Sequence, residues 1–232
     1  MKNVISFEEF YIKNKFFLYP YFLFLVLTSF ILYIFSHGES LLFINSLHSE
    51  YLDIYFKFIN NLGDGIFYIF IILIFLFVRL RLAIFGLASY ASSGIFVQII
   101  KHIFDTPRPK LYFGDGIILH FVQGVEIYNH NSFPSGHSAS AFSLFLILSI
   151  VRKNKFESII YFLLALSVGL ARVYLCEHFF IDVLLGSFFG ILFTIFLYFY
   201  LFENERILKN KIFDFSLINY YKVNIRNHLK KK

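Results

Sequence analysis

The sequence predicts an all-α, polytopic membrane protein: a bundle of six transmembrane helices, with an amphipathic interfacial helix between the first and second. Three observations predict it. Of 232 residues, 58% are hydrophobic and only 16% charged, against about 45–50% and about 25% in soluble domains. Six apolar runs recur along the chain, each bounded by charge or by Gly and Pro. The charges collect at the ends of those runs rather than on one face of each. This composition suits one compact membrane unit with no second domain and no nucleic-acid partner.

The elements follow in order. Residues 1–15 form a short amino end carrying Lys2, Lys13 and Lys15. Residues 16–36 hold no charge and are long enough to span a bilayer at about 1.5 Å per residue. The run is too long for a signal-peptide core. In residues 39–61, Phe43, Leu47, Tyr51, Ile54 and Phe58 recur at helical spacing while Asn45, Glu50, Asp53 and Lys57 take other faces. That pattern predicts a helix lying in the membrane interface. The second span covers 62–78 and ends at Arg79 and Arg81. The third, 82–104, carries Gly86, Ala88, Ser89, Ala91, Ser92, Ser93 and Gly94. Small residues allow close helix approach, so this helix is expected at the centre of the bundle. Pro107 and Pro109 stop it, and a polar loop runs to Phe133. The fourth span opens at Ser132-Phe-Pro-Ser-Gly-His137 and ends at Arg152, Lys153 and Lys155; the fifth covers 158–171, and the sixth 179–202. The membrane domain is thus 16–202, followed by a basic tail, 203–232.

Charge predicts orientation. With six spans, the amino end, the 2–3 and 4–5 turns and the tail share one side. They hold three, two, three and eight basic residues, 16 of the 21 Lys and Arg. The positive-inside rule makes that side the cytoplasm of a cytoplasmic membrane, with both termini inside. The five exceptions are Lys57, Lys101, Arg108, Lys110 and Arg172. Lys57 fits the interfacial helix, whereas the others surround the outer loops that also hold His137 and His178.

Those loops carry the chemistry. Ser135 and Gly136 offer a hydroxyl and backbone N–H groups at a helix start, where anions bind readily. His137 can donate or accept a proton near neutral pH. Asp182 follows His178 by four residues, so on a helix its carboxylate faces the ring and can fix the tautomer. Lys101, Arg108 and Arg172 can neutralise a phosphoryl group.

The ordered set Lys101-x6-Arg108-Pro109, Pro134-Ser-Gly-His137 and Arg172-x5-His178-x3-Asp182 resembles the type 2 phosphatidic acid phosphatase (PAP2) family. That family shares its site with glucose-6-phosphatase and the vanadium haloperoxidases. The motifs cover 101–109, 134–137 and 172–182; Ala171 stands where the family's third motif usually has Ser. The resemblance implies that His178 attacks phosphorus to form phosphohistidine and that Asp182 orients it. His137 would protonate the leaving oxygen and then activate water. Lys101, Arg108 and Arg172 would bind the phosphoryl oxygens with Ser135 and the Gly136 N–H. It implies no cofactor and no metal. The substrate would be a membrane lipid phosphate or diphosphate, met at the outer face.

Several readings stay open. Undecaprenyl diphosphate, phosphatidylglycerol phosphate, phosphatidate and lipid A phosphates all fit as substrates. A phosphotransferase would use the same intermediate, and a transporter, a channel or a catalytically dead structural protein are readings of another class. Oligomeric state is not encoded in any recognisable feature. His102, His120, His130, Asp115, Glu126 and Glu177 are expected as loop or interface residues, and His48 has no assigned role. Cys176, the single cysteine, is expected to pack.

Overall fold

The computed structural model describes residues 5–204, 207, 210–218 and 220, and no strand occurs among them. The first helix, α1, is Phe7–Ile34. It begins well before the charge-free run because Ser6 accepts a hydrogen bond from Glu9 N, and Glu8 and Glu9 favour a positive helix start. The expected interfacial segment is two helices, α2 (Glu39–Ser46) and α3 (Glu50–Asn60). The break falls where Ser49 caps α3 by accepting from Leu52 N. After a single turn, Asn61–Gly63, the chain bends by 51° into α4, Gly65–Val78, whose cap is Asp64. Next come α5 (Leu80–Phe104), the short α6 (Pro109–Phe113), α7 (Gly136–Arg152), α8 (Lys155–Tyr174) and α9 (Phe180–Tyr198). A π-helical turn, Phe199–Glu203, extends α9.

By length and composition four helical stretches can cross a membrane, those containing α1, α5, α8 and α9; α3 and α4 together make a fifth if they form one bent span. That is fewer than the six expected. Helices α4 and α7 have 14 and 17 residues, about 21 and 26 Å, short of a hydrocarbon core of about 30 Å.

The bundle is organised around α7 rather than α5. Most of α7 is buried, including Ala141, Phe142, Leu144, Leu146 and Ile147. Gly186 and Gly190 of α9 lie so close that an added Cβ would stand 2.3 Å from the carbonyl oxygens of Ser135 and Ala139 respectively. On α5 only part of the small-residue stripe faces inward: Ser89 and Ser93 are buried, whereas Gly94 has nothing within 4 Å of a built Cβ.

Helix alternation sorts the chain ends. The carboxyl ends of α5 and α8 and the amino ends of α7 and α9 lie at one end of the bundle. At the other end Ile5 N donates to Glu203 (3.1 Å), and Phe10 packs on Tyr198. There Asp214 pairs with Arg79, and Leu80 N donates to Phe215 O at 2.9 Å. Of the tail's eight basic residues, all but Lys211 lie outside the described residues.

Candidate active site

The site begins with how α8 ends. The N–H groups of Glu177 and His178 both donate to Arg172 O at 3.0 Å, folding the chain back over the last turn. Cys176 takes a left-handed φ of 54° to make that fold. Its thiol is buried against Asn45 Nδ2 at 3.1 Å, and burial pushes it up to about 12. It is a packing group with no thiolate chemistry near neutral pH.

Asp182, in the first turn of α9, performs two tasks. Its Oδ2 accepts from Phe179 N (2.9 Å), capping the helix, and lies 3.3 Å from His178 Nδ1. Ser132 adds a third partner by donating its hydroxyl to the same oxygen at 2.5 Å. His178 and Asp182 are each 2% exposed. Burial, with Arg172, Arg108, Lys101 and His137 nearby, holds His178 well below the ordinary 6.5. The ring is therefore neutral, with a lone pair available on one nitrogen.

The α7 start docks on this pair, because Ser135 N donates to Asp182 O at 2.9 Å. Ser135 caps α7: its oxygen accepts from Ser138 N (3.3 Å) and from the Ser138 hydroxyl (2.9 Å). Its own O–H remains a donor, beside the Gly136 N–H, which the first turn of a helix leaves without an intrahelical acceptor. His137, half-buried, lies on that turn and is one of the groups whose charge His178 senses.

Three cations complete the cradle. Lys101, buried at the end of α5, donates to the carbonyls of Asn131 and Ser132. Arg108 donates from Nε to His130 O at 3.0 Å and lies 5.1 Å over the Tyr128 ring. Arg172 Nη1 donates to Asn60 Oδ1 at 2.6 Å, and its Nε has no partner among the described residues. All eight residues singled out in the sequence therefore gather at one end of the bundle. No group of three or more His, Cys, Asp or Glu side chains suited to a metal ion occurs among the described residues.

The profile of the PAP2 superfamily matches residues 81–206. The chain belongs to that superfamily. This PAP2 chain is 29% identical over 161 residues to a dihydrosphingosine 1-phosphate phosphatase of Schizosaccharomyces pombe; the match covers 64% of the chain and 38% of that relative's length. Among solved structures it is similar to LpxE of Aquifex aeolicus, at TM-score 0.62 and 30% identity, over 71% of this chain and 96% of that one. It also shares the fold of a PAP2-type phosphatidylglycerolphosphate phosphatase from Bacillus subtilis, at TM-score 0.57 and 23% identity, over 82% of this chain and 96% of that one. With its apolar helices, the chain is a multi-pass membrane protein.

The PAP2 site holds three further residues to which the sequence reading assigned no part. Glu177, expected at a loop or interface, is 1% exposed and bonded to both Arg108 and Arg172. Ser132 bonds Asp182, and Asn60 bonds Arg172. The first had a readable signal, since a carboxylate adjoining the motif histidine sits in an otherwise apolar run. The other two had none. Of the other histidines, His120 pairs with Asp53 at 2.9 Å and stacks on His48, while His130 lies 3.5 Å from Asp105 at the surface.

Proposed function

We propose that the chain is a membrane lipid phosphate or diphosphate phosphatase working through a phosphohistidine. The observation that carries this reading is the buried His178–Asp182 pair among Lys101, Arg108 and Arg172. Asp182 accepts from Nδ1–H, which leaves the Nε2 lone pair to attack phosphorus. As the N–P bond forms, the P–O bond to the lipid breaks, and His137 gives its proton to the departing oxygen. His137 then takes a proton from water as that water attacks the phosphohistidine, releasing phosphate and restoring His178. Lys101, Arg108, Arg172, the Ser135 hydroxyl and the Gly136 N–H hold the phosphoryl oxygens throughout. Cationic side chains supply the charge neutralisation, so no metal is required.

A cavity of about 830 Å³ supports a lipid as the carrier of that phosphate. Its wall includes His137 and Gly136 of α7 and Gly94, Ile95, Gln98, Ile99 and His102 of α5. Ile95 and Ile99 are exposed on the bundle's outer surface. An apolar chain can lie there while its headgroup meets His137, and a soluble ester needs no such wall. We further propose six spans, with α4 and α7 as the short ones. The basic bias read from the sequence supports both termini lying in the cytoplasm of a cytoplasmic membrane and the site at the outer face. The test is phosphate release by purified protein from a panel of lipid phosphates in detergent containing chelator. Release from at least one lipid is expected. Activity confined to soluble esters, or abolished by chelator and restored by one divalent ion, overturns the reading.

A further inference from the structure

Glu177 is a site carboxylate bonded directly to two of the cations. Its Oε2 lies 3.2 Å from Arg172 Nη2 and also bonds Arg108 Nη1. Its Oε1 has no partner among the described residues. The carboxylate is thus a resident counter-ion shared by two of the three cations that the proposed mechanism assigns to the phosphoryl group. Without it, two guanidiniums would face each other in a site screened from water, a costly arrangement.

From this geometry, and resting on the phosphatase reading above, we propose that Glu177 is a positioning and release residue. It clasps Arg108 to Arg172 between turnovers, and it weakens the grip of the cradle on product phosphate. An arriving phosphoryl group must compete with the carboxylate for the same N–H donors. It gains Arg172 Nε, a buried donor with no partner among the described residues. After the phosphohistidine is hydrolysed, the carboxylate reclaims both guanidiniums as phosphate leaves. Burial raises the Glu177 carboxyl above the ordinary 4.5, against the opposing pull of Arg172 and Arg108.

This gives a prediction whose sign separates release from mere scaffolding. A residue that only scaffolds the arginines would, once removed, loosen phosphate binding. A resident competitor, once neutralised, tightens it. In purified full-length protein, Glu177→Gln keeps the shape and removes the charge. Inhibition of aryl phosphate hydrolysis by inorganic phosphate and by vanadate should then strengthen about tenfold, the order expected for one neighbouring charge. Turnover at saturating substrate should fall as release slows, with KM falling alongside. Glu177→Asp, with the carboxylate drawn back by one methylene, should tighten phosphate by about two- to threefold and serves as the test if Glu177→Gln does not fold. Phosphate inhibition unchanged or weakened in the folded variant overturns the proposal while leaving the phosphatase reading intact. Wild-type protein that neither hydrolyses phosphate esters nor binds phosphate overturns both.

Discussion

Gly186→Ala is the smallest change that should disable the site without touching a reacting group. The glycine lies on α9, one turn past Asp182, where α7 begins. A Cβ built there meets Ser135 O at 2.3 Å and Ser135 C and N at 3.1 and 3.2 Å. Ordinary contact needs about 3.4 Å, and the obstacle is backbone, so no rotamer can relieve it. The helix start must retreat by about 1 Å. That motion strains the Ser135 N–Asp182 O bond of 2.9 Å and shifts Gly136 and His137 against His178. Overpacking costs about 1–3 kcal/mol, whereas replacing a helical glycine with alanine returns at most about 1 kcal/mol, so the variant should be less stable on balance. Misplacement by 1 Å costs on the order of 10²-fold in rate. Gly116→Ala, in the loop after α6, is the control, since its Cβ meets nothing within 4 Å. The assay is lipid phosphate turnover with thermal unfolding in the same detergent. Wild-type turnover and an unchanged melting temperature in Gly186→Ala would refute this account of the α7–α9 contact.

Further outcomes follow from the same geometry. Gly94→Leu should narrow the groove beside His137, lowering kcat/KM for a long-chain lipid phosphate by about tenfold while sparing a small aryl phosphate; equal losses on both would contradict the groove's role. Arg172→Lys should cost about 10–100-fold in kcat/KM, because one ammonium cannot serve Asn60, Glu177 and a phosphoryl oxygen with the fork of a guanidinium. His178, neutral in the fold, would take a proton near pH 6.5 in the unfolded chain. The unfolded state therefore binds more protons below that pH, and stability should drop as pH falls through 6.5 toward the lowered folded value. Melting measured from pH 7.5 to 5 should show a slope that His178→Gln reduces.

The residues of the candidate site are legible because charge is rare in this chain and therefore conspicuous. Lys101, Arg108 and Arg172 stood out by violating the side bias, and the spacing of His178 and Asp182 put one over the other. The groups that hold them were harder to read. Asn60 lies 112 positions from Arg172 and Ser132 lies 50 from Asp182, so no local pattern joins them. Glu177 was passed over because a charge next to a loop ordinarily means solvent. Helix limits erred where hydropathy was asked to do the work of capping. Ser49 followed by Glu50 marks a helix start inside 39–61, and Ser6 followed by Glu8 and Glu9 marks one ahead of the first apolar run. The small residues of α5 do not make it the central helix, because α7 is the one buried on most sides. The close α7–α9 approach is made by Gly186 and Gly190 of α9, against backbone of α7 and its cap.

The central claim is that His178 carries the phosphoryl group, and trapping it tests that claim most directly. Wild-type protein, His178→Ala and His137→Ala are mixed with a radiolabelled aryl phosphate, quenched and assayed for acid-labile protein-bound label. Label should appear transiently on the wild type and be absent from His178→Ala. It should accumulate on His137→Ala, where an activated leaving group departs unaided but water is no longer activated. In His137→Ala, turnover of lipid monoesters should fall by about 10²–10⁴-fold. Label retained in His178→Ala, or no label in active wild type under any quench, would contradict the account.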